Sequence, residues 1–244
     1  MISMVPGTSF SFSATVTPPE GVTIKGLLAS CGTDITGKRD AALISLAYDA
    51  GLRVSELVGA TVADLSQAVD GSGRLEIAHS KTDQLGEGAL AWLSPDTMAR
   101  LSAWLLASGI TQGAVFRRIN VLTSPPDDAG EQTQRHYIGQ KPLTRQGVVA
   151  ILRRRVFEAI DLGHVELEAG MEGDTVRSLS AHSFRVGLTQ DLFAAGEDGA
   201  GIALALRWSS PTTALRYARE LAVGNNAAAR VLGRLRDGGG QPGS

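Results

Sequence analysis

The chain has 244 residues, 43% apolar and 20% charged, which suits one large soluble domain that buries its own core without disulfides or a structural metal. Its single cysteine, Cys31, excludes an intramolecular disulfide framework and a cysteine-rich zinc module. The 23 basic and 25 acidic side chains leave a formal charge of −2, which argues against a nonspecific nucleic-acid coat.

Residues 1–21 are rich in Ser, Thr, Pro and Gly and read as a flexible lead-in. They lack the basic n-region of a secretory signal, and no apolar stretch is long enough to cross a bilayer. The expected compartment is therefore the cytoplasm. A short helix is predicted over 22–31, with Ile24, Leu27 and Leu28 on one side. Thr36 is the expected cap of the next helix, 38–49, whose Ala42, Leu43, Leu46 and Ala47 follow a helical period. Gly51 should stop it in the left-handed conformation. A short helix over 53–58 follows.

The pattern then changes. Residues 74–80 alternate like a half-buried strand, and 89–93 are apolar enough to pair with it. The polar segment 81–88 between them reads as a hairpin tip. Ser94-Pro95 predicts a helix start, a cap and then a first-turn proline. That helix should run to about residue 107 and bury Met98, Leu101, Trp104 and Leu105. Residues 121–140 read as a long polar loop, after which Thr144 caps a strong helix to about 161.

Between Gln132 and Phe157 there is no acidic residue, whereas Arg135, Lys141, Arg145, Arg153, Arg154 and Arg155 all fall inside. Such a stripe either tracks a phosphate backbone or forms a solvated helix face. Ser180 should start a helix over 181–195, stopped by Gly196. Short helices are expected over 199–207 and 211–221, then a last one over 225–236 and a glycine-rich tail, 237–244. The fold class is mainly α (α+β), with one small antiparallel sheet near the front.

Several ionisable residues are unremarkable singly. Arg53 and Glu56 share a helix face and alone would be an ion pair. Lys81 alone is a solvated lysine at a hairpin tip. His182 and Arg185 stand three apart at a helix N-terminus, where two cationic donors would suit a phosphate or merely cap the helix. Tyr217 follows Trp208 by nine residues and alone would rim the core.

Their order and spacing carry more. Gly51-Leu-Arg-Val-Ser-Glu-Leu57, Ser80-Lys-Thr82, Ala181-His-Ser-Phe-Arg-Val-Gly187, Trp208 and Arg216-Tyr217 together resemble the tyrosine recombinase (phage integrase) family. The resemblance covers residues 22–236, the whole catalytic domain, and Trp208 with a short C-terminal helix looks most like the Cre-type subgroup. It implies helices around a three-stranded antiparallel sheet.

It also implies a mechanism. Tyr217 matches the nucleophile that attacks a scissile DNA phosphate and forms a 3′-phosphotyrosyl bond. Arg53 and Arg185 match the pair that clamps the non-bridging oxygens, and His182 a proton-transfer and hydrogen-bonding residue. Lys81 matches the general acid for the leaving 5′-oxygen. Trp208 stands where many members have histidine, and Glu56 matches an acidic residue that supports the site from behind. Neither ATP nor metal is needed, because the phosphotyrosine conserves the bond energy. Arg145, Arg153, Arg154 and Arg155 are the expected DNA contacts, on a helix that in this family lies near the major groove. The partner implied is double-stranded DNA. The last helix, with Ala228, Val231, Leu232 and Leu235, resembles the element that docks on a neighbour to form a tetramer, or packs on its own domain.

Relatives usually carry an N-terminal core-binding domain of about a hundred residues, and the sequence given shows none. Other readings stay open: a catalytically silent truncated integrase that only binds DNA, or a type IB topoisomerase-like activity. The complete set Arg53, Lys81, His182, Arg185, Trp208 and Tyr217 favours the recombinase.

Overall fold

A single helix, α2 (Ile35–Asp49), organises the first part of the chain: every residue from Arg39 to Ala47 on it is buried. The computed structural model describes residues 22–77, 88–126, 131–167, 170, 172–180 and 182–218. It divides into two units, Met1–Leu188 and Thr189–Ser244.

The cap of α2 is Asp34, not the expected Thr36, because its Oδ1 accepts the Gly37 N–H at 2.8 Å and so starts the helix earlier. Glycine is required at 37, where a side chain would collide with the Gly32 backbone. At the other end Gly51 has φ +52°, the left-handed stop that was expected. Ahead of α2, Thr23 Oγ1 accepts the Gly26 N–H and starts α1 (Ile24–Ala29). Beyond it, α3 (Val54–Gly59) begins one residue later than expected, because Arg53 is itself the cap residue.

A short 3-10 turn (Val62–Asp64) leads into an antiparallel sheet of β1 (Leu65–Gln67), β2 (Gly73–Ile77) and β3 (Ala89–Leu93), in that order. Leu75 pairs with Leu65 on one side and Ala91 on the other. Leu75, Ile77, Ala91 and Leu93 face the core, while Arg74, Glu76, Leu90 and Trp92 face out. This period of two is what the sequence pattern anticipated. Helix α4 (Pro95–Ser108) then starts on Ser94, whose Oγ accepts the Thr97 N–H, and ends on Gly109 at φ +67°. It buries Met98, Leu101 and Trp104 against α2, with Leu105 partly buried. The Trp104 indole satisfies its only donor on the Val115 carbonyl at 2.8 Å.

The expected loop over 121–140 is instead part of a second sheet, β4 (Arg117–Thr123) paired antiparallel with β5 (Gln134–Pro142). Ile119 and Ile138 pair across this ribbon and are the apolar residues it packs against the core. Nearly all its other positions are exposed, so no apolar alternation marks the strands in the sequence. Its pairing rests on the backbone ladder, extended past the strand ends by Ser124 and Thr133.

Thr144 caps α5 (Arg145–Asp161) as anticipated, its Oγ1 accepting the Gly147 N–H at 3.0 Å. Val148, Ile151, Leu152, Arg155, Val156 and Ala159 form its buried stripe. A helix that was not anticipated, α6 (Glu172–Ser178), packs on α5. The unit boundary falls within α7 (Ser183–Ala194), which begins later than the expected residue 181.

In the second unit, α8 (Gly199–Ala205) packs on α9 (Pro211–Ala218) through buried Ile202, Ala203, Leu206 and Ala214. α8 ends in a Schellman turn: the Arg207 N–H bonds the Leu204 carbonyl and the Trp208 N–H bonds the Ala203 carbonyl. The left-handed residue there is Arg207 at φ +57°, the one non-glycine with positive φ among the described residues. The lead-in, the hairpin tip with Lys81, the helix expected over 225–236 and the tail lie outside the described residues.

Candidate active site

Within the first unit, Arg185 links the two sequence motifs that carry arginine. It sits in the first turn of α7 and is only 1% exposed. Its Nη1 donates to the Gly51 carbonyl at 3.0 Å. Gly51 is the left-handed residue that ends α2, and Arg53 follows two positions later. One hydrogen bond therefore ties the start of α7 to the α2–α3 turn. The buried stem and this bond fix where the guanidinium lies.

Arg53 is held differently. Glu56, three residues on, accepts from the Arg53 backbone N–H at 2.8 Å through Oε2 and from Nη1 at 2.7 Å through Oε1. The Glu56 side chain is 7% exposed and that of Arg53 35% exposed. The carboxylate thus closes the helix start and aims the arginine at once, leaving part of the guanidinium open to a ligand.

His182 immediately precedes α7, and its carbonyl accepts the Val186 N–H. Its own N–H reaches Ser180 Oγ at 3.3 Å. The residue keeps an exposed face. Partial loss of water around the ring depresses its pKa below the ordinary value, and the Arg185 and then Arg53 charges push the same way. His182, Arg185 and Arg53 therefore share one electrostatic environment, at the positive end of a helix. An imidazole kept neutral beside two guanidiniums can accept or pass a proton, and the guanidiniums can hold an anion.

Two of the other candidates belong to the second unit, Trp208 at the turn after α8 and Tyr217 on α9. The Tyr217 side chain and Lys81 lie outside the described residues. Ser210 starts α9, its Oγ accepting the Thr212 N–H and its carbonyl the Thr213 N–H, with Pro211 at the first position.

The α5 arginines divide. Arg145 and Arg153 are exposed, and Arg153 donates to the Arg177 carbonyl at 3.0 Å. Arg155 is not a surface contact: it is 6% exposed and lies on the buried stripe of α5. Its Nε donates to Asp40 Oδ2 at 2.7 Å and its Nη1 to the Ser30 carbonyl and to Glu158. Burial works against this charge, but Asp40 foremost, with Cys31 and Glu158, raises the pKa above the usual arginine value. Arg154, with its side chain 45% exposed, reaches the same Asp40 oxygen at 2.6 Å. Arg39 occupies Asp40 Oδ1 through Nε and Nη2. The expected DNA contact at Arg155 is thus a core ion-pair hub instead. Its signal was in the sequence: 148, 151, 152, 155, 156 and 159 follow one helical stripe, and Asp40 falls on the stripe of Leu43, Ile44 and Ala47 in α2. The Arg185–Gly51 bond has no such signal, since its acceptor is a backbone oxygen.

Helices around a small three-stranded antiparallel sheet, with this arginine–histidine cluster, define a tyrosine recombinase catalytic-domain fold. The chain resembles XerH site-specific recombinase bound to a palindromic difH substrate, with TM-score 0.56 and 15% identity over 88% of this chain and 51% of that one. It also resembles XerA recombinase, with TM-score 0.55 and 14% identity over 93% of this chain and 68% of that one. In sequence it is 24% identical over 199 residues to the Recombinase cre of Escherichia phage P1, covering 80% of this chain and 53% of that protein. The Phage integrase family profile matches residues 21–222, and the chain belongs to that family. It spans about half the length of the curated relative it matches.

Proposed function

We propose that this chain is the catalytic domain of a site-specific DNA recombinase that cleaves and rejoins strands through a 3′-phosphotyrosine. The observation that carries this reading is the Arg53–His182–Arg185 cluster in a member of the integrase family, with Arg185 fixed to Gly51 beside Arg53.

In the proposed reaction the Tyr217 phenol oxygen attacks the scissile phosphorus and loses its proton. The P–O5′ bond breaks, and Lys81 protonates the leaving 5′-oxygen. A partner strand's 5′-hydroxyl then reverses the step at the new junction. The transition state gathers negative charge on the non-bridging oxygens, where two guanidiniums offer planar donors that keep their charge. Removing one such donor typically costs about 10²–10³ in rate. A phenol with a pKa near ~10 needs nearby positive charge to ionise at neutral pH. His182, held neutral, hydrogen-bonds the phosphate and moves a proton, and Glu56 positions Arg53. The Trp208 indole N–H donates to the phosphate.

Double-stranded DNA is the proposed substrate, with exposed Arg145 and Arg153 on its phosphates and a tetramer assembled through the segment 225–236. No helix among the described residues is long and apolar enough to cross a membrane. The test is to incubate the chain with fragmented DNA from its own genetic neighbourhood, denature with detergent and recover protein-linked DNA. Adducts from the wild type and none from Tyr217→Phe support the reading. A mobility shift without adducts from either protein contradicts it in favour of a binding module.

A further inference from the structure

We infer that the β4–β5 ribbon is a DNA-contacting element, laid on the duplex by its outward face; this rests on the proposed DNA substrate. Neither strand contains an acidic residue, while Arg117, Arg118, Arg135 and Lys141 give them four cations. Arg117 is committed to the protein, donating to the Ala114 carbonyl, the Gln112 carbonyl and Gln140. The other three are exposed and enter none of the ion pairs found among the described residues.

Register and alternation sort the ribbon's two faces. Ile119 pairs with Ile138 on the face turned to the core. Asn120 pairs with Tyr137, and Leu122 with Arg135, on the opposite face. Arg118 leans to that side too: a Cβ on Gly139 would meet Arg118 Cβ and Asn120 Nδ2, each at 3.8 Å. Lys141 follows Gly139 by two and shares its face. Tyr137 is 46% exposed and Leu122 59% exposed.

The outward face therefore presents three cations outside the ion pairs of the described residues, with an amide, a phenol and one apolar side chain, and no carboxylate from either strand. The nearest acidic residues in sequence, Asp127, Asp128 and Glu131, lie beyond the strands. An excess of three charges on a chain of net charge −2 is a local, directional field, complementary to a phosphate backbone. A two-stranded ribbon also has the width that the major groove admits. Arg118, Arg135 and Lys141 take phosphates, and Asn120 and Tyr137 supply donors to phosphate or base edges. The ribbon thus supplies the positive surface that the α5 helix, with Arg155 and Arg154 engaged by Asp40, supplies only in part.

The test is the salt dependence of binding to a mixed-sequence duplex, for the full chain and for the triple variant Arg118→Gln, Arg135→Gln, Lys141→Gln. A Lys25→Gln, Arg100→Gln variant, also exposed or partly exposed but on α1 and α4, controls for net charge. Loss of three phosphate contacts lowers the log–log slope by roughly 2.7, so the affinity lost between about 50 and 200 mM salt shrinks by about forty-fold. The control should shift the slope by much less, and thermal melts should match the wild type in both. An unchanged slope in the triple variant overturns the assignment while leaving the recombinase reading intact. So does an unchanged slope with altered sedimentation, which makes the ribbon a protein contact, and so does a control that shifts the slope as far per charge removed. A wild type that binds no duplex overturns both readings.

Discussion

Arg185 donates to the carbonyl of Gly51 across 134 positions of sequence, and that bond sets the start of α7 against the turn that carries Arg53. The acceptor is the backbone oxygen of a residue whose φ of +52° only glycine adopts without strain. Arg185 therefore holds the turn, and in the proposed reaction its fixed charge also acts on the phosphate. Arg185→Ala should lower strand cleavage by about 10²–10³. It should also cost about 1–3 kcal/mol of stability, because a buried hydrogen bond and the packing of a buried side chain are lost. Single-turnover cleavage and urea unfolding on the same preparation separate the two effects. Arg185→Lys keeps the charge but not the planar fork, so it should recover stability more fully than cleavage.

The histidine between the arginines gives the site a pH signature. His182 titrates below its ordinary value of 6.5 because of desolvation and the Arg185 and Arg53 charges. Between the depressed folded pKa and the unfolded one, the unfolded chain binds more protons than the folded. Stability is thus lost as pH falls from about 6.5 towards the folded pKa, and this group contributes no slope above that window. Urea midpoints measured from pH 7.5 down to 5 should fall less steeply in His182→Asn than in the wild type. Equal slopes would mean that the histidine does not sense the two arginines.

Asp40 is 0% exposed and accepts from Arg39, Arg154 and Arg155. Removing it leaves buried Arg39 without its carboxylate and leaves Arg155 only Glu158 and the Ser30 carbonyl. Asp40→Asn should therefore destabilise by about 3–5 kcal/mol. Arg154→Ala, at a side chain 45% exposed, should cost under about 1 kcal/mol. Denaturant unfolding of both variants checks the order. Equal losses would mean that the hub is no more than a surface pair.

The thiol of Cys31 offers a chemical readout of the same region. Burial pushes its pKa up to about 11, with Arg155 pulling down and Asp40 and Glu158 pushing up. At pH 8 it should hold about a hundredfold less thiolate than a free cysteine, so alkylation by iodoacetamide should be slow until the chain unfolds. Modification at the rate of the denatured chain would contradict this.

How much of this was legible beforehand depended on whether a signal was local. Helix caps such as Ser94 and Thr144 read correctly because cap and amide lie three residues apart. The β2–β3 pair read correctly because one face is buried and alternation shows it. The β4–β5 ribbon did not, since almost all its residues are exposed and pairing through the backbone leaves no mark on composition. Arg155 was misread because a run of three arginines suggests a surface, while the helical stripe places the third inside. Arg53, His182 and Arg185 stand in the sequence only as residues of separate motifs. The Arg185–Gly51 bond that joins two of those segments depends on tertiary contact, which no spacing encodes.

The identity of the atom that carries the DNA decides the proposed chemistry. Detergent-resistant adducts should be digested with nuclease and protease, and the peptide that retains nucleotide identified by mass spectrometry. The expected result is a phosphodiester from Tyr217 to a 3′-phosphate, with a 5′-hydroxyl on the freed strand and no adduct from Tyr217→Phe. A linkage on another residue, a 5′-phosphate attachment, or adducts that survive Tyr217→Phe would contradict it.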